Sequence, residues 1–248
     1  MKVSIVTICF NSAETIRTAL QSVIAQSYPD IEYIIVDGKS KDNTLSIVNE
    51  YKESIAKIIS EEDGGIYDAM NKGVKAATGD IIGILNSDDL YANEHVVSNM
   101  VKAISDADAV YADLVYVRRE DTSQVTRAWR AGVYKKGLFK KGWMPPHPTF
   151  FVKKACYDNY GYYSTELNSS ADYELMLRLI HKHEISVNYF PETIVKMRVG
   201  GQSTVSIKNR LAANKEDRRA WEMNGLQPGI ATIRKPLSKL SQFLRKQV

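Results

Sequence analysis

Three polar clusters follow apolar runs in the N-terminal part of the chain: Thr7-Ile8-Cys9-Phe10-Asn11, Asp37-Gly38 and Asn86-Ser87-Asp88-Asp89. Taken singly, an Asp after a strand is a turn former or a helix cap. Three such clusters at one edge of one sheet point instead to a bound ligand. The paired carboxylates Asp88 and Asp89 suit a hard divalent cation, because Mg²⁺ or Mn²⁺ takes oxygen ligands and bridges one or two carboxylates to phosphate oxygens. The chemistry this suggests is departure of a metal-bound diphosphate. The chain contains neither GxGxxG nor GxxxxGK[ST], so something other than a glycine loop has to neutralise a diphosphate if one is bound. Two further residues stand out. His147 is framed by prolines in Met144-Pro145-Pro146-His147-Pro148-Thr149, and Asp172 precedes an apolar stripe of Leu175, Met176, Leu179 and Ile180. Both have plain structural readings, Asp172 as a helix N-cap.

The elements around these residues read as a scaffold that gathers strand ends. Val3 to Cys9 is an apolar strand, and Ser12 can cap a helix from Ala13 to Gln26 with Ile16, Ala19, Leu20, Val23 and Ile24 on one face. Ile31 to Val36 is the next strand, followed by a turn and a helix near Thr44 to Tyr51. A strand from Lys57 to Ser60, a helix from Ile66 to Ala77 and a strand from Asp80 to Leu85 complete the first half. This order predicts an α/β fold with a mostly parallel sheet covered on both faces. In such sheets ligands bind beyond the carboxyl ends of the strands, where helix N-termini and loop amides converge. The second half changes rhythm. Ala109 to Val117 and Val125 to Ala131 read as a meander, Gly142 to Phe151 as a proline-marked loop entering a strand, and Tyr173 to His183 as a helix. Ser186 to Val199 is extended structure broken at Pro191, and Ser206 to Met223 a charged, solvated helix. The expected organisation is one domain over 1–205, with halves 1–105 and 106–205, and a basic helical extension over 206–248.

With 248 residues, 44% hydrophobic and 25% charged, the chain can bury a sizeable core. A formal charge of +4 is too mild for a dedicated nucleic-acid binder. The charge is uneven: residues 200–248 carry ten Lys/Arg against three Asp/Glu, leaving a slightly acidic body. Cys9 and Cys156 offer neither a disulfide framework nor metal spacing, which predicts a reducing compartment, with Cys9 in the core. The N-terminus reads as a strand rather than a signal segment, and no apolar run reaches the roughly 18 to 20 residues of a membrane span. The expected location is cytoplasmic, or peripheral on the inner face of the cell membrane. The segment Pro236 to Val248 places Leu237, Leu240, Phe243 and Leu244 at helical spacing among Lys235, Lys239, Arg245 and Lys246, with Pro236 at a first helical position. It suits contact with an anionic lipid surface; docking on the protein's own body, or against a second copy, are the alternatives.

Four segments, VSIVTICFN, IIVDGKSKDNT, GGIYDAMNKGVKAATGDIIGILNSDD and SADYELMLRL, resemble the family 2 glycosyltransferases of the GT-A fold, particularly bacterial enzymes of O-antigen, capsule and exopolysaccharide assembly. The resemblance runs from about Lys2 to Gly201. It implies a Rossmann-like sheet with a smaller acceptor-side sheet and C-terminal helices, and inverting transfer of a sugar from a nucleotide diphosphate donor, UDP by family habit, to a saccharide or polyprenyl-linked acceptor. By position, Thr7 and Asn11 line the nucleotide pocket, Asp37 contacts the base or ribose, Asp68 and Lys72 contact the nucleotide, and Asn86-Ser87-Asp88 stands for the family's Asp-x-Asp. Asn86 replaces the first carboxylate there and keeps a hydrogen-bonding amide but is a poorer metal ligand. The cation, Mg²⁺ or Mn²⁺, is therefore assigned to Asp88, with Asp89 as a cap or a donor-sugar contact.

The same resemblance makes Asp172 the catalytic base that takes the acceptor hydroxyl proton. It places His147 near the acceptor, with Trp143 as a sugar-stacking ring or plain core, and Arg198, in the Met197–Ser203 segment, beside the departing diphosphate or in a surface salt bridge. Glu174, four residues before Arg178, reads as a structural helix pair. Lys39 and Lys41 read as solvated. Two other classes stay open on the sequence: a sugar nucleotidyltransferase, which would need a basic phosphate loop absent here, and a noncatalytic nucleotide-sugar or glycan binder, favoured if Asn86 disables the metal site.

Overall fold

Val3–Cys9 (β1) is buried along its whole length, which accounts for its lack of alternation: a strand covered on both faces has no solvent side to mark. A computed structural model describes residues 1–200 and 207–238. Its remaining strands are Ile31–Asp37 (β2), Lys57–Ser60 (β3), Ile81–Ile84 (β4), Asp89–Tyr91 (β5), Ala109–Val117 (β6), Val125–Trp129 (β7), Phe151–Lys153 (β8) and Val187–Arg198 (β9). Its helices are Ile16–Ile24 (α1), Thr44–Asn49 (α2), Ile66–Ala76 (α3), Val96–Ile104 (α4), Lys154–Tyr160 (α5), Ala171–Met176 (α6), Ile207–Met223 (α7) and Ala231–Ser238 (α8).

Among the described residues the strands form one sheet in the order β3-β2-β1-β4-β8-β6-β9-β5, with β7 on β6. The pairs β1–β2, β2–β3 and β1–β4 are parallel. Strand β8 runs antiparallel to both β4 and β6, so β6 points the same way as β4, and β9 is parallel to β6. The carboxyl ends of β1, β2, β4, β6 and β9 therefore share one edge. The acceptor-side strands expected as a smaller sheet continue the first one through β8. Helix α3 lies close over this sheet: a Cβ on Gly73 would run into Val6 Cγ1 and stand 3.2 Å from Val36 Cγ2.

Several expectations change. Helix α1 begins at Ile16, not Ala13, because the Ser12 carbonyl accepts the N–H groups of Thr15 and Ile16 in a preceding turn. Pro191 does not break the last strand. The register with β6 jumps from Ala112↔Phe190 to Asp113↔Thr193, so the proline sits in a bulge, where its missing N–H costs no ladder bond. Strands β6 and β7 pair as expected, but the other neighbours of β6 are β8 and β9 rather than a continuing meander. Helix α6 starts at Ala171, and its continuation Leu177–Lys182 winds as a π-helix.

Helix α7 is not a solvated face. Trp221 and Ala220 are fully buried in the same core as the sheet, and the indole N–H of Trp221 donates to Tyr173 Oη at 2.9 Å. Buried Lys235 on α8 pairs with buried Asp217 on α7 at 2.7 Å. Pro236 lies inside α8 rather than at its first position. The rest of the amphipathic segment, 239–248, and residues 201–206, which include the end of the Met197–Ser203 segment, lie outside the described residues. No helix among the described residues is long and apolar enough to cross a membrane.

Candidate active site

Strands β1, β2 and β4 deliver their terminal residues to one edge, where side chains cross-link the loops. Asn11, at a left-handed φ of 47°, donates its backbone N–H to Ser40 Oγ at 2.8 Å and accepts the Lys41 N–H on Oδ1 at 2.9 Å. Ser87 is bonded to Ser12 Oγ at 2.9 Å, tying the Asp88 loop to the end of β1. Asp37 is fully buried, accepting Ser60 Oγ at 2.8 Å and the Ser40 N–H at 3.2 Å. Its carboxylate shapes the β2 turn from below. Thr7 is likewise fully buried, with Oγ1 3.1 Å from Tyr33 Oη. Asp68, in the first turn of α3, accepts the Gly64 N–H at 3.0 Å and faces Lys72 Nζ at 3.4 Å; that backbone donor and the lysine hold its carboxyl below the usual range. Lys72 also pairs with Glu61 at 3.0 Å.

Beneath the Asp88–Asp89 turn lies Arg198. It is buried, and its guanidinium donates to the Asp88 carbonyl at 2.7 Å, the Arg119 carbonyl at 3.2 Å and Thr18 Oγ1 at 2.9 Å. Neither a surface salt bridge nor an outward-facing cation, it braces the turn from the end of β9. Asp89 is also buried, with Oδ2 lacking a partner. Burial, and then the Asp88 charge, push its pKa well up.

In the second half of the chain, Asp172 is the second residue of α6 rather than its cap, which is Ser170. Both carboxylate oxygens are engaged: His147 Nδ1 stands 3.0 Å from Oδ2, and Tyr67 Oη donates to Oδ1 at 3.2 Å. Burial raises the Asp172 pKa, but the charge and hydrogen bond of His147, with Lys235 behind, outweigh it and leave the carboxyl well below its ordinary value. His147 opens a short turn, His147–Thr149, pinned by Thr149 Oγ1 to Ala112 on β6 at 2.9 Å and packed against β4, the strand that leads to Asp88. Trp143 is half-buried among Tyr111, Tyr134 and Phe139, its indole N–H donating to the Ala131 carbonyl at 2.8 Å. Glu174 and Arg178 form the expected pair at 2.9 Å, buried and joined to α7 through Asn224.

Residues 4–165 match the family model described as Glycosyl transferase family 2. The chain belongs to that family. An uncharacterized glycosyltransferase of Mycobacterium tuberculosis is 32% identical over 178 residues, 71% of this chain and 68% of that protein. A PGL/p-HBAD biosynthesis glycosyltransferase of Mycobacterium bovis is 28% identical over 192 residues, 75% and 72% of the two chains. Among solved structures, S. aureus TarS 1-349 in complex with UDP-GlcNAc superposes with a TM-score of 0.73 over all of this chain and 77% of its own, at 18% identity. The mannosyltransferase PcManGT from Pyrobaculum calidifontis, in complex with GDP-Man and Mn²⁺, gives a TM-score of 0.70 over 96% and 69%, at 20% identity. These similarities establish the GT-A-like fold. Family membership also sets aside the nucleotidyltransferase and binding-module alternatives.

Two residues of this glycosyltransferase escaped the sequence reading. Asp63 packs so tightly on the β2 turn that a Cβ on Gly38 would meet its Oδ2; the Asp63-Gly64-Gly65 run, with Gly65 at φ 116°, was the available signal. Tyr67 is the phenol on Asp172, and an apolar-facing Tyr on a helix gives no warning of that. For a cation, the described residues contain no group of three His, Cys, Asp or Glu able to enclose a metal. They do leave Asn86 Oδ1 and Asp89 Oδ2 buried without partners, on either side of Asp88. One available carboxylate flanked by spare oxygens fits Mg²⁺ or Mn²⁺ as such ions sit in phosphate sites, completed by water and substrate oxygens rather than by a protein cage.

Proposed function

We propose that the protein transfers a sugar with inversion from a nucleotide diphosphate donor, a UDP-sugar first among candidates, to a hydroxyl of a saccharide, lipid-linked acceptor in bacterial surface-glycan assembly. The observation that carries this reading is the hydrogen-bonded cluster Tyr67–Asp172–His147. It joins α3, whose next residue is Asp68 of the donor side, to α6 of the acceptor side. Inversion needs one basic group opposite the departing nucleotide, and the cluster supplies it. Asn11, Asp63, Asp68, Lys72 and the Asn86–Ser87 backbone form the donor wall, while Asp37, Thr7 and Arg198 hold that wall from behind. Asp88, with Asn86 beside it, would hold Mg²⁺ or Mn²⁺, which when bound offsets the negative charge of the diphosphate. Transfer to a lipid-linked acceptor suits an enzyme drawn to an anionic surface by the basic 236–248 segment. The ligands bound by TarS and PcManGT, UDP-GlcNAc and GDP-Man with Mn²⁺, make uridine and guanosine nucleotides the first to test.

The test is a panel of nucleotide sugars scored for thermal stabilisation with and without Mn²⁺, since a ligand of the native state raises its apparent stability. One nucleotide sugar is expected to stabilise the chain more with Mn²⁺ than without, and to be cleaved to nucleoside diphosphate. Asp172→Asn is expected to keep that stabilisation and lose turnover. Stabilisation by nucleoside triphosphates with release of pyrophosphate would overturn the reading.

A further inference from the structure

Resting on the transferase reading above, we propose that the atom receiving the acceptor proton is Nε2 of His147, with Asp172 behind it as the positioning carboxylate. Three observations lead there. First, an ionised carboxylate has no proton to give, so the 3.0 Å contact between His147 Nδ1 and Asp172 Oδ2 places the imidazole hydrogen on Nδ1. In the neutral ring that leaves a basic lone pair on Nε2. Second, Nε2 has no hydrogen-bond partner among the described residues and is not among their buried unpartnered atoms, while the His147 side chain is 28% exposed against 16% for Asp172. Third, Asp172 is held from both sides, by His147 on Oδ2 and Tyr67 on Oδ1.

The arrangement follows the logic of a carboxylate–imidazole pair in which the acid fixes the tautomer and steadies the imidazolium that forms. The acidity of Asp172 agrees with it. A carboxyl well below its ordinary range is a weak base at neutral pH, whereas an imidazole is matched to it. In the step itself, the acceptor O–H proton passes to the Nε2 lone pair as the oxygen forms its bond to the anomeric carbon. The anomeric C–O bond to the diphosphate breaks, its electron pair leaves with the diphosphate, and the imidazolium later gives its proton to water. The turn around His147 is built to hold the ring. Pro146 and Pro148 flank it, and Thr149 Oγ1 is bonded to Ala112 and to the Pro146 carbonyl at 2.8 Å. The charged or titratable groups that face the pair are Tyr67 from α3, Tyr163 from the loop after α5 and Lys235 from α8.

The test needs no acceptor, because water can stand in for the alcohol. Release of nucleoside diphosphate is measured for wild type, H147Q, H147A and D172N with the nucleotide sugar that stabilises the chain most, in Mn²⁺, from pH 5 to 8. Thermal unfolding and nucleotide affinity serve as controls for folding. Expected are losses of about 10² to 10⁴ in turnover for H147Q and H147A at unchanged nucleotide affinity. The acidic limb of the wild-type pH profile disappears in both. Added imidazole raises the H147A rate, and D172N shifts the limb to lower pH as well as slowing the reaction. A purely structural histidine would give neither rescue nor a displaced limb. An active wild type beside an H147Q enzyme within threefold of it, or an H147A enzyme that imidazole leaves unchanged, overturns the assignment. A wild type that cleaves no nucleotide sugar is a different result, and sinks the transferase reading itself.

Discussion

Tyr67 and Asp172 lie 105 residues apart in sequence and meet at 3.2 Å, the phenol of α3 donating to the carboxylate of α6. Burial, and then the charge of Asp172, push the phenol pKa up, so Tyr67 is a fixed donor across the working pH range. Tyr67→Phe deletes that donor and keeps the ring stacked on Tyr163 at a centroid distance of 5.9 Å. The expected outcome is about 1 kcal/mol of lost stability, roughly a tenfold fall in turnover through looser placement of Asp172, and unchanged nucleotide affinity. Denaturant unfolding, nucleoside diphosphate release and titration calorimetry measure the three. Unaltered turnover would mean that the bond ties the halves together without positioning the Asp172–His147 pair.

Asn86→Asp tests the metal reading. The Asn86 Oδ1 atom is already buried and unpartnered, next to Asp88 and Asp89. A second charge there has no cation to meet until the metal arrives. Without Mn²⁺ the variant is expected to lose about 1–3 kcal/mol, the cost of an uncompensated buried polar group. With Mn²⁺ the loss shrinks and metal affinity rises above wild type. Melting curves with and without Mn²⁺ read both, and equal melting shifts for the two proteins would place the cation away from residue 86.

The first half of the fold was legible because its strands are short, apolar and bounded by turn residues, and β1 and β3, like β6 in the second half, begin and end where the apolar runs and their flanking turn residues set them. Three-residue strands carry too little periodicity to read, so β5 was absent from the expectation and β8 only a strand of unstated extent. Trp221 was hidden by its neighbours: charged residues on either side make α7 look solvated, and one indole decides otherwise. In the site, spacing identified which residues gather at the sheet edge, but not which way each points. Thr7 and Asp37 turn inward and Arg198 lies underneath. Strand-end position is a property of sequence, whereas orientation depends on partners such as Tyr33 and Ser60 that come from other strands.

Helix α7 belongs to the structural core, so Trp221→Ala is expected to cost about 3–5 kcal/mol, the range for emptying a large buried site, with the Tyr173 hydroxyl left unpaired as well. Because Tyr173 follows Asp172, the loss extends to turnover. Arg218→Ala, on the same helix with its exposed pair to Glu222 at 3.2 Å, is the control, expected to change stability by less than about 0.5 kcal/mol. Denaturant unfolding separates the two. Equal effects would return α7 to the role of a solvated appendage.

At the opposite edge of the sheet, Glu32 links stability to pH without touching the chemistry. Its burial favours the neutral acid, but Ser4 Oγ at 2.5 Å, the Thr78 N–H at 2.7 Å, the Thr78 hydroxyl at 2.6 Å and Lys2 Nζ at 3.1 Å together overcome that and lower its pKa from 4.5 to about 2. The folded pKa is depressed, so the stabilisation is complete above the unfolded value and is lost as pH falls through the folded one. A shift of that size corresponds to roughly 3 to 3.5 kcal/mol. Glu32→Gln is therefore expected to be less stable than wild type by about that amount at pH 7, and the difference is expected to close between about pH 4.5 and pH 2. Turnover per folded molecule at pH 7 stays the same, because the residue lies at the strand ends away from Asp88 and Asp172. Denaturant curves taken across that pH interval decide it: a gap that persists at pH 2 assigns the effect to amide packing rather than to the charge.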